Sequence, residues 1–109
     1  MIVKWLLRAL NDLAAITTYI ERDNPDAARH LAQSIREQTK QLAAFPFMGR
    51  ASEKPDVREL VVHKNYLVSY RIQRDTIEIL QVWHAAQMRG GNSGVAARDA
   101  GVSPPRRTK

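Results

Sequence analysis

The chain has no cysteine, which excludes disulfide staples and thiolate metal sites and suits a reducing cytoplasm. It also lacks a long apolar run. Lys4, Trp5, Leu6 and Leu7 start like a secretory segment, but Arg8, Asn11 and Asp12 interrupt it before an apolar core can form. Nothing approaches the roughly eighteen apolar residues that a membrane helix needs, so no membrane partner is expected. His30 and His63 stand in no ligand-like spacing with each other or with carboxylates, so no metal is expected. No cofactor motif and no internal repeat is present.

What remains is a single small domain. With 109 residues, such a domain buries only about 60–65% of the surface of its unfolded chain, so its core is thin. The formal net charge of +6, with a pI near 10.2, favours a polyanionic partner, either nucleic acid or an acidic protein. The charge is unevenly placed, however. Residues 1–90 hold 13 Lys and Arg against 10 Asp and Glu, whereas the last 19 hold Arg98, Arg106, Arg107 and Lys109 against Asp99. Half of the excess therefore sits in the tail. Residues 1–89 are expected to fold, and residues 90–109, rich in glycine, serine, proline and charge without periodicity, read as a flexible basic tail.

Along the folded part, residues 2–5 read as a short strand. Leu6, Ala9 or Leu10, Leu13, Ile16 and Ile20 then recur at helical spacing, although no Ser, Thr, Asp or Asn caps the start. Asn24-Pro25-Asp26 supplies a cap, a proline for the first helical position and an acid for the first turn. A second helix follows to about residue 44, with Ala28, Leu31, Ile35 and Leu42 on its buried stripe. Phe45-Pro46-Phe47-Met48-Gly49-Arg50 ends it and opens a polar loop to Pro55; Gly49 is expected where a turn needs positive φ.

Period-two alternation then predicts strands over 57–62, 66–73 and 76–83. With Lys64-Asn65 and Arg74-Asp75 as two-residue turns, counting puts Arg58, Leu60, Val62, Leu67, Ser69, Arg71, Glu78, Leu80 and Val82 on one face, and His84 continues that row. Val57, Val61, Tyr66, Val68, Tyr70, Ile72, Ile77 and Ile79 share the other, which is assigned to the helices. Packing is accordingly favoured over base stacking for Tyr66 and Tyr70.

A strand, two antiparallel helices and a three-stranded meander, in that order, resemble the RelE/ParE superfamily of bacterial toxins. The residues that carry the resemblance are Ala9, Asp12-Leu13, Ile16, Tyr19-Ile20, Asn24-Pro25, Ala27-Ala28, Leu42, Phe45-Pro46 and Gly49-Arg50. Val57-Arg58-Glu59-Leu60, Tyr66-Leu67-Val68, Tyr70-Arg71-Ile72 and Ile77 to His84 continue it, and the detailed string is closest to the ParE branch. The match runs over roughly residues 1–89. It implies an α+β fold, a helical hairpin on a small antiparallel sheet, and a cytoplasmic toxin neutralised by a cognate antitoxin in a hetero-oligomer. ParE-like relatives poison DNA gyrase, whereas RelE-like relatives cleave mRNA on the ribosome.

Metal-independent RNA cleavage needs a base for the 2′-hydroxyl, an acid for the leaving oxygen and cations for the phosphorane. Arg58, Arg71 and His84 are the residues that could supply these. The resemblance, however, sets Leu60 and Leu67 where catalytic relatives carry basic groups, so enzymatic activity is not expected. His84 also reads as a strand-end hydrogen-bonding residue, and Arg71 as the cross-strand partner of Glu78. The row of Leu60, Val62, Leu67, Leu80 and Val82, edged by Arg58 and Arg71, would be unusual if left in water. It is expected to receive an amphipathic, partly acidic antitoxin segment. Gyrase is the expected target. The alternatives are a ribosome-dependent endoribonuclease and a family member that binds partners without toxicity.

Overall fold

The computed structural model describes residues 1–63 and 66–85. Lys64, Asn65 and the expected tail lie outside them. The elements are β1 (Ile2–Trp5), α1 (Leu7–Glu21), α2 (Pro25–Lys40), a 3₁₀ turn (Gln41–Ala43), β2 (Arg50–Ala51), β3 (Val57–His63), β4 (Tyr66–Gln73) and β5 (Thr76–His84). The five strands form one mixed sheet in the order β1-β5-β4-β3-β2. β1 runs parallel to β5, and the other pairs are antiparallel. Both helices pack on one face, which gives the expected α+β architecture. The two-residue β2 was not legible in the polar loop.

The uncapped start of α1 has a physical reason. The Leu6 N–H donates to Ile79 O at 3.0 Å, so the backbone at the helix start is fixed by β5 and not by a capping side chain. Ala9 and Leu13 are buried and Ile16 and Ile20 pack against the core, whereas Leu10 points away and is 48% exposed. α2 starts as its sequence dictates, with the Asn24 side chain accepting from Ala27 N at 3.0 Å and Pro25 in the first turn. Its buried Thr39 satisfies its hydroxyl on Ile35 O at 2.9 Å.

The sheet differs from simple counting at two β-bulges. In the β3–β4 pair the register shifts between Val61 and His63, so Val57 opposes Arg71, Arg58 opposes Tyr70 and Leu60 opposes Val68. In the β4–β5 pair it shifts between Ser69 and Tyr70: Tyr70 opposes Ile79, Ser69 opposes Gln81, and Leu80 is the extra residue. Each one-residue slip reverses the faces of the strand beyond it. Leu60, Val62 and Val82, expected on the open face, therefore lie in the helix-facing core with Val68, Tyr70, Ile77 and Ile79. Val61, expected in the core, is 52% exposed.

Helices hold both irregularities. The Val62 carbonyl accepts from the Gln38 amide and from Ser34 Oγ, both on α2. The Val82 N–H, beyond the end of β1, donates to Asp12 Oδ2 on α1 at 3.0 Å. A bulge frees backbone groups from the ladder, and these buried polar groups need partners.

Burial raises the Asp12 carboxyl above its ordinary 3.8, against the opposing pull of Val82 N–H and Arg8. A raised folded pKa contributes stability that is full below the unfolded value and is lost as pH rises through the folded one. Ionised Asp12 therefore works slightly against the fold at neutral pH. Asp12→Asn, which keeps an acceptor and removes the charge, is expected to leave urea stability at pH 7 unchanged or raised. Asp12→Ala strands the Val82 N–H and is expected to cost about 1–2 kcal/mol.

Candidate functional site

Arg58 lies on the helix side of the sheet beside Tyr70, and the two side chains secure the loop between α2 and β2. Arg58 Nε donates to Gly49 O at 2.8 Å, Nη2 donates to Phe47 O at 3.4 Å, and the guanidinium sits 5.4 Å from the centroid of the Phe47 ring. The buried Tyr70 hydroxyl donates to Pro46 O at 2.8 Å and accepts from Gly49 N at 3.0 Å. Gly49 is required for space and not for its φ, which lies outside the left-handed region. A Cβ there would fall 2.7 Å from Tyr70 Cε1 and the Tyr70 oxygen, and 2.9 Å from Glu59 O. The non-glycine residues with positive φ are Asp56 and Arg74, among the described residues.

Arg71 occupies the opposite, open face. Its Nε is 2.6 Å from Glu78 Oε1, which is the cross-strand pair that counting anticipated. Arg50, on the same face, reaches Glu59 at 3.4 Å. Beyond both pairs, towards the Tyr66 end of β4, stand Leu67 and Trp83, directly opposed and only 3% and 7% exposed, with Trp83 Nε1 donating to Ser69 Oγ at 2.8 Å. Trp83 is thus a packed residue of the open face.

His84 stands at the far end of β5. It opposes Tyr66, and the two rings meet edge to face with centroids 5.0 Å apart. Burial lowers the imidazole below 6.5, which leaves it largely neutral at pH 7, and burial followed by the proximity of Tyr19 raises the Tyr66 phenol above 10.0. The expected catalytic group of Arg58, Arg71 and His84 does not assemble. Arg58 and Arg71 are on opposite faces, and His84 is five residue positions along the sheet from the Arg71–Glu78 pair, about 16 Å at strand spacing. The expected antitoxin row also divides. Leu60, Val62 and Val82 are core, Arg58 shares their face, Leu67 and Arg71 stay on the open face, and the partly exposed Leu80 sits in a bulge. Counting overlooked Phe47, Tyr70, Gly49 and Asp12. The Phe-Pro-Phe segment running into glycine was a usable signal for Phe47 and Gly49, whereas Tyr70 and Arg58, which anchor that loop, stand on the strands beyond it.

Among the described residues no group of three His, Cys, Asp or Glu side chains converges as a metal site. No helix there is long and apolar enough to cross a membrane.

The sequence is 44% identical over 86 residues to a protein of Sinorhizobium fredii described as a candidate toxin, Y4kP, covering 78% of this chain and 88% of that protein. It is 36% identical over 86 residues to toxin RelE2 of Caulobacter vibrioides, covering 79% and 97%. Among solved structures, the chromosomal ParDE toxin–antitoxin system of P. aeruginosa superposes with a TM-score of 0.70 at 33% identity, covering 77% of this chain and 95% of the other. The family described as the ParE toxin of the type II toxin–antitoxin system parDE matches residues 3–89. Apart from Ile2 at the start of β1, that span takes in every described strand and both helices, and the chain belongs to this ParE toxin family.

Proposed function

We propose that this toxin is held inactive in the cytoplasm by a cognate antitoxin and, once free, inhibits DNA gyrase by protein–protein contact rather than by cutting RNA. The observation that carries this reading is the dispersal of the acid–base and cationic groups. A phosphorane needs its base, acid and cations within a few ångströms of one phosphate. Here one arginine is tied to loop carbonyls on the helix side, another to Glu78 on the open side, and the histidine is packed on Tyr66 at the sheet end. Towards the histidine end of that face stand Leu67 and Trp83, buried side chains that offer a phosphate no charge.

The name toxin RelE2 borne by the Caulobacter relative makes mRNA cleavage the competing activity. The two are separated by adding purified protein to a gyrase supercoiling reaction and, separately, to a translating extract in which mRNA ends are mapped. Loss of supercoiling with intact message is expected. New mRNA ends at ribosomal positions, abolished by Arg71→Ala or His84→Ala, would assign the chain to the nucleases. Inactivity in both assays would point to a partner-binding protein without toxicity.

A further inference from the structure

A cleft of about 370 Å³ opens beside Arg58, between Phe47 and the loop that leads into β3, with Val57, Ile72 and Pro55 among its lining. Phe47 is 69% exposed although it is a large aromatic residue. The site is built in advance. Two loop carbonyls and the Phe47 ring fix Arg58, and no protein acceptor faces its Nη1 among the described residues. The opposite wall is closed by its own bonds: Ser52 N–H to Val57 O at 3.1 Å, Val57 N–H to Lys54 O at 3.2 Å, and Lys54 N–H to Ser52 Oγ at 3.1 Å. Within this turn Asp56 adopts a φ of 67°, a left-handed conformation that Asp takes more readily than most non-glycine residues.

Such a site loses little freedom when it is filled. Its chemistry is mixed. Arg58 and Lys54 outweigh Asp56, and the remaining lining is largely apolar. A nucleic-acid backbone would favour cations without the opposing Asp56 carboxylate, and a second copy of this basic chain would bring surplus positive charge.

We propose that the cleft anchors the protein antitoxin, taking a segment in which an acidic side chain stands beside an apolar one. The carboxylate meets Arg58 and Lys54, and the apolar group lies on Phe47 and Ile72. This deepens the antitoxin reading above and rests on it. Aromatic and arginine side chains at a pre-formed site carry a disproportionate share of interface energy.

The test uses the full chain and the antitoxin encoded beside it, with affinity measured by calorimetry or surface binding. Lys54→Glu and Phe47→Ala change exposed side chains. Each is expected to weaken binding at least tenfold without lowering the melting temperature by more than a few degrees. Arg22→Glu, the same charge change at the distant helical turn, is expected to alter affinity less than threefold. Wild-type affinity in both cleft variants overturns the proposal while leaving the antitoxin reading intact. Absence of any binding by the wild-type chain overturns both. An oligonucleotide complex lost in Lys54→Glu, or self-association lost in Phe47→Ala, with antitoxin affinity unchanged, also overturns it by giving the cleft another occupant.

Discussion

Gly49→Ala is expected to destabilise the protein by about 2–3 kcal/mol, the cost of forcing a methyl group into a filled site. At the roughly 4–8 °C per kcal/mol of a domain this size, the melting temperature should fall by about 10–20 °C. The added Cβ would meet the Tyr70 ring and hydroxyl at 2.7 Å and the Glu59 carbonyl at 2.9 Å. The last of these is backbone of β3, and Tyr70 is fully buried, so neither can step aside cheaply. Tyr70→Phe tests the same joint from the other side. It removes the hydroxyl that serves both Pro46 O and Gly49 N, and leaving a buried acceptor and donor without partners costs about 2 kcal/mol. The two losses should not add, because the hydroxyl is one of the atoms that the new methyl group strikes. Both variants should also weaken antitoxin binding in chains that remain folded, since Arg58 and Phe47 are positioned through Gly49 O and Phe47 O. Unfolding midpoints within 0.5 kcal/mol of wild type for Gly49→Ala would show that the loop is not locked against β4 in this way.

Local signals in the sequence were sufficient where local physics decides. The Asn24-Pro25 start of α2, the stripes of Ala9, Leu13, Ile16 and Ala28, Leu31, Ile35, and the inward row of Tyr66, Val68, Tyr70 and Ile72 all follow from caps and periodicity. So does the hairpin of β4 and β5 as far as the Arg71–Glu78 pair, since a two-residue turn fixes the register next to it. Counting fails beyond each bulge because the compensation is remote. Val62 is tolerated as an extra residue because Gln38 and Ser34, more than twenty positions earlier, receive its carbonyl. The register beyond Leu80 turns the Val82 N–H toward Asp12, seventy positions away. Neither partner is marked by anything near the strand. The functional reading inherits this limit: Arg58 and Arg71 are two of the expected site residues, and one slipped register places them on opposite faces.

The bulge in β3 makes a second prediction, one that adjacent residues decide between them. Val62→Asp is expected to cost about 3–5 kcal/mol, because a carboxylate would enter the helix-facing core with no cation to pair it. That is a large part of the roughly 5–10 kcal/mol that a folded domain of this size holds, so the variant should be largely unfolded at 37 °C. Val61→Asp places the same charge on the open face at a residue 52% exposed and should change stability by less than about 0.5–1 kcal/mol. A regular hairpin without the bulge reverses the two outcomes, since Val61 would then point at the helices and Val62 at solvent. The sheet could answer Val62→Asp by expelling the bulge and sliding β3 one residue against β4. Such a slide would turn Leu60 out of the core and draw Arg58 away from the Gly49 and Phe47 carbonyls, replacing one buried loss with two. Far-UV circular dichroism and urea midpoints of the two variants, measured side by side, therefore read the strand register directly. Comparable small losses in both would mean that β3 pairs with β4 in more than one register.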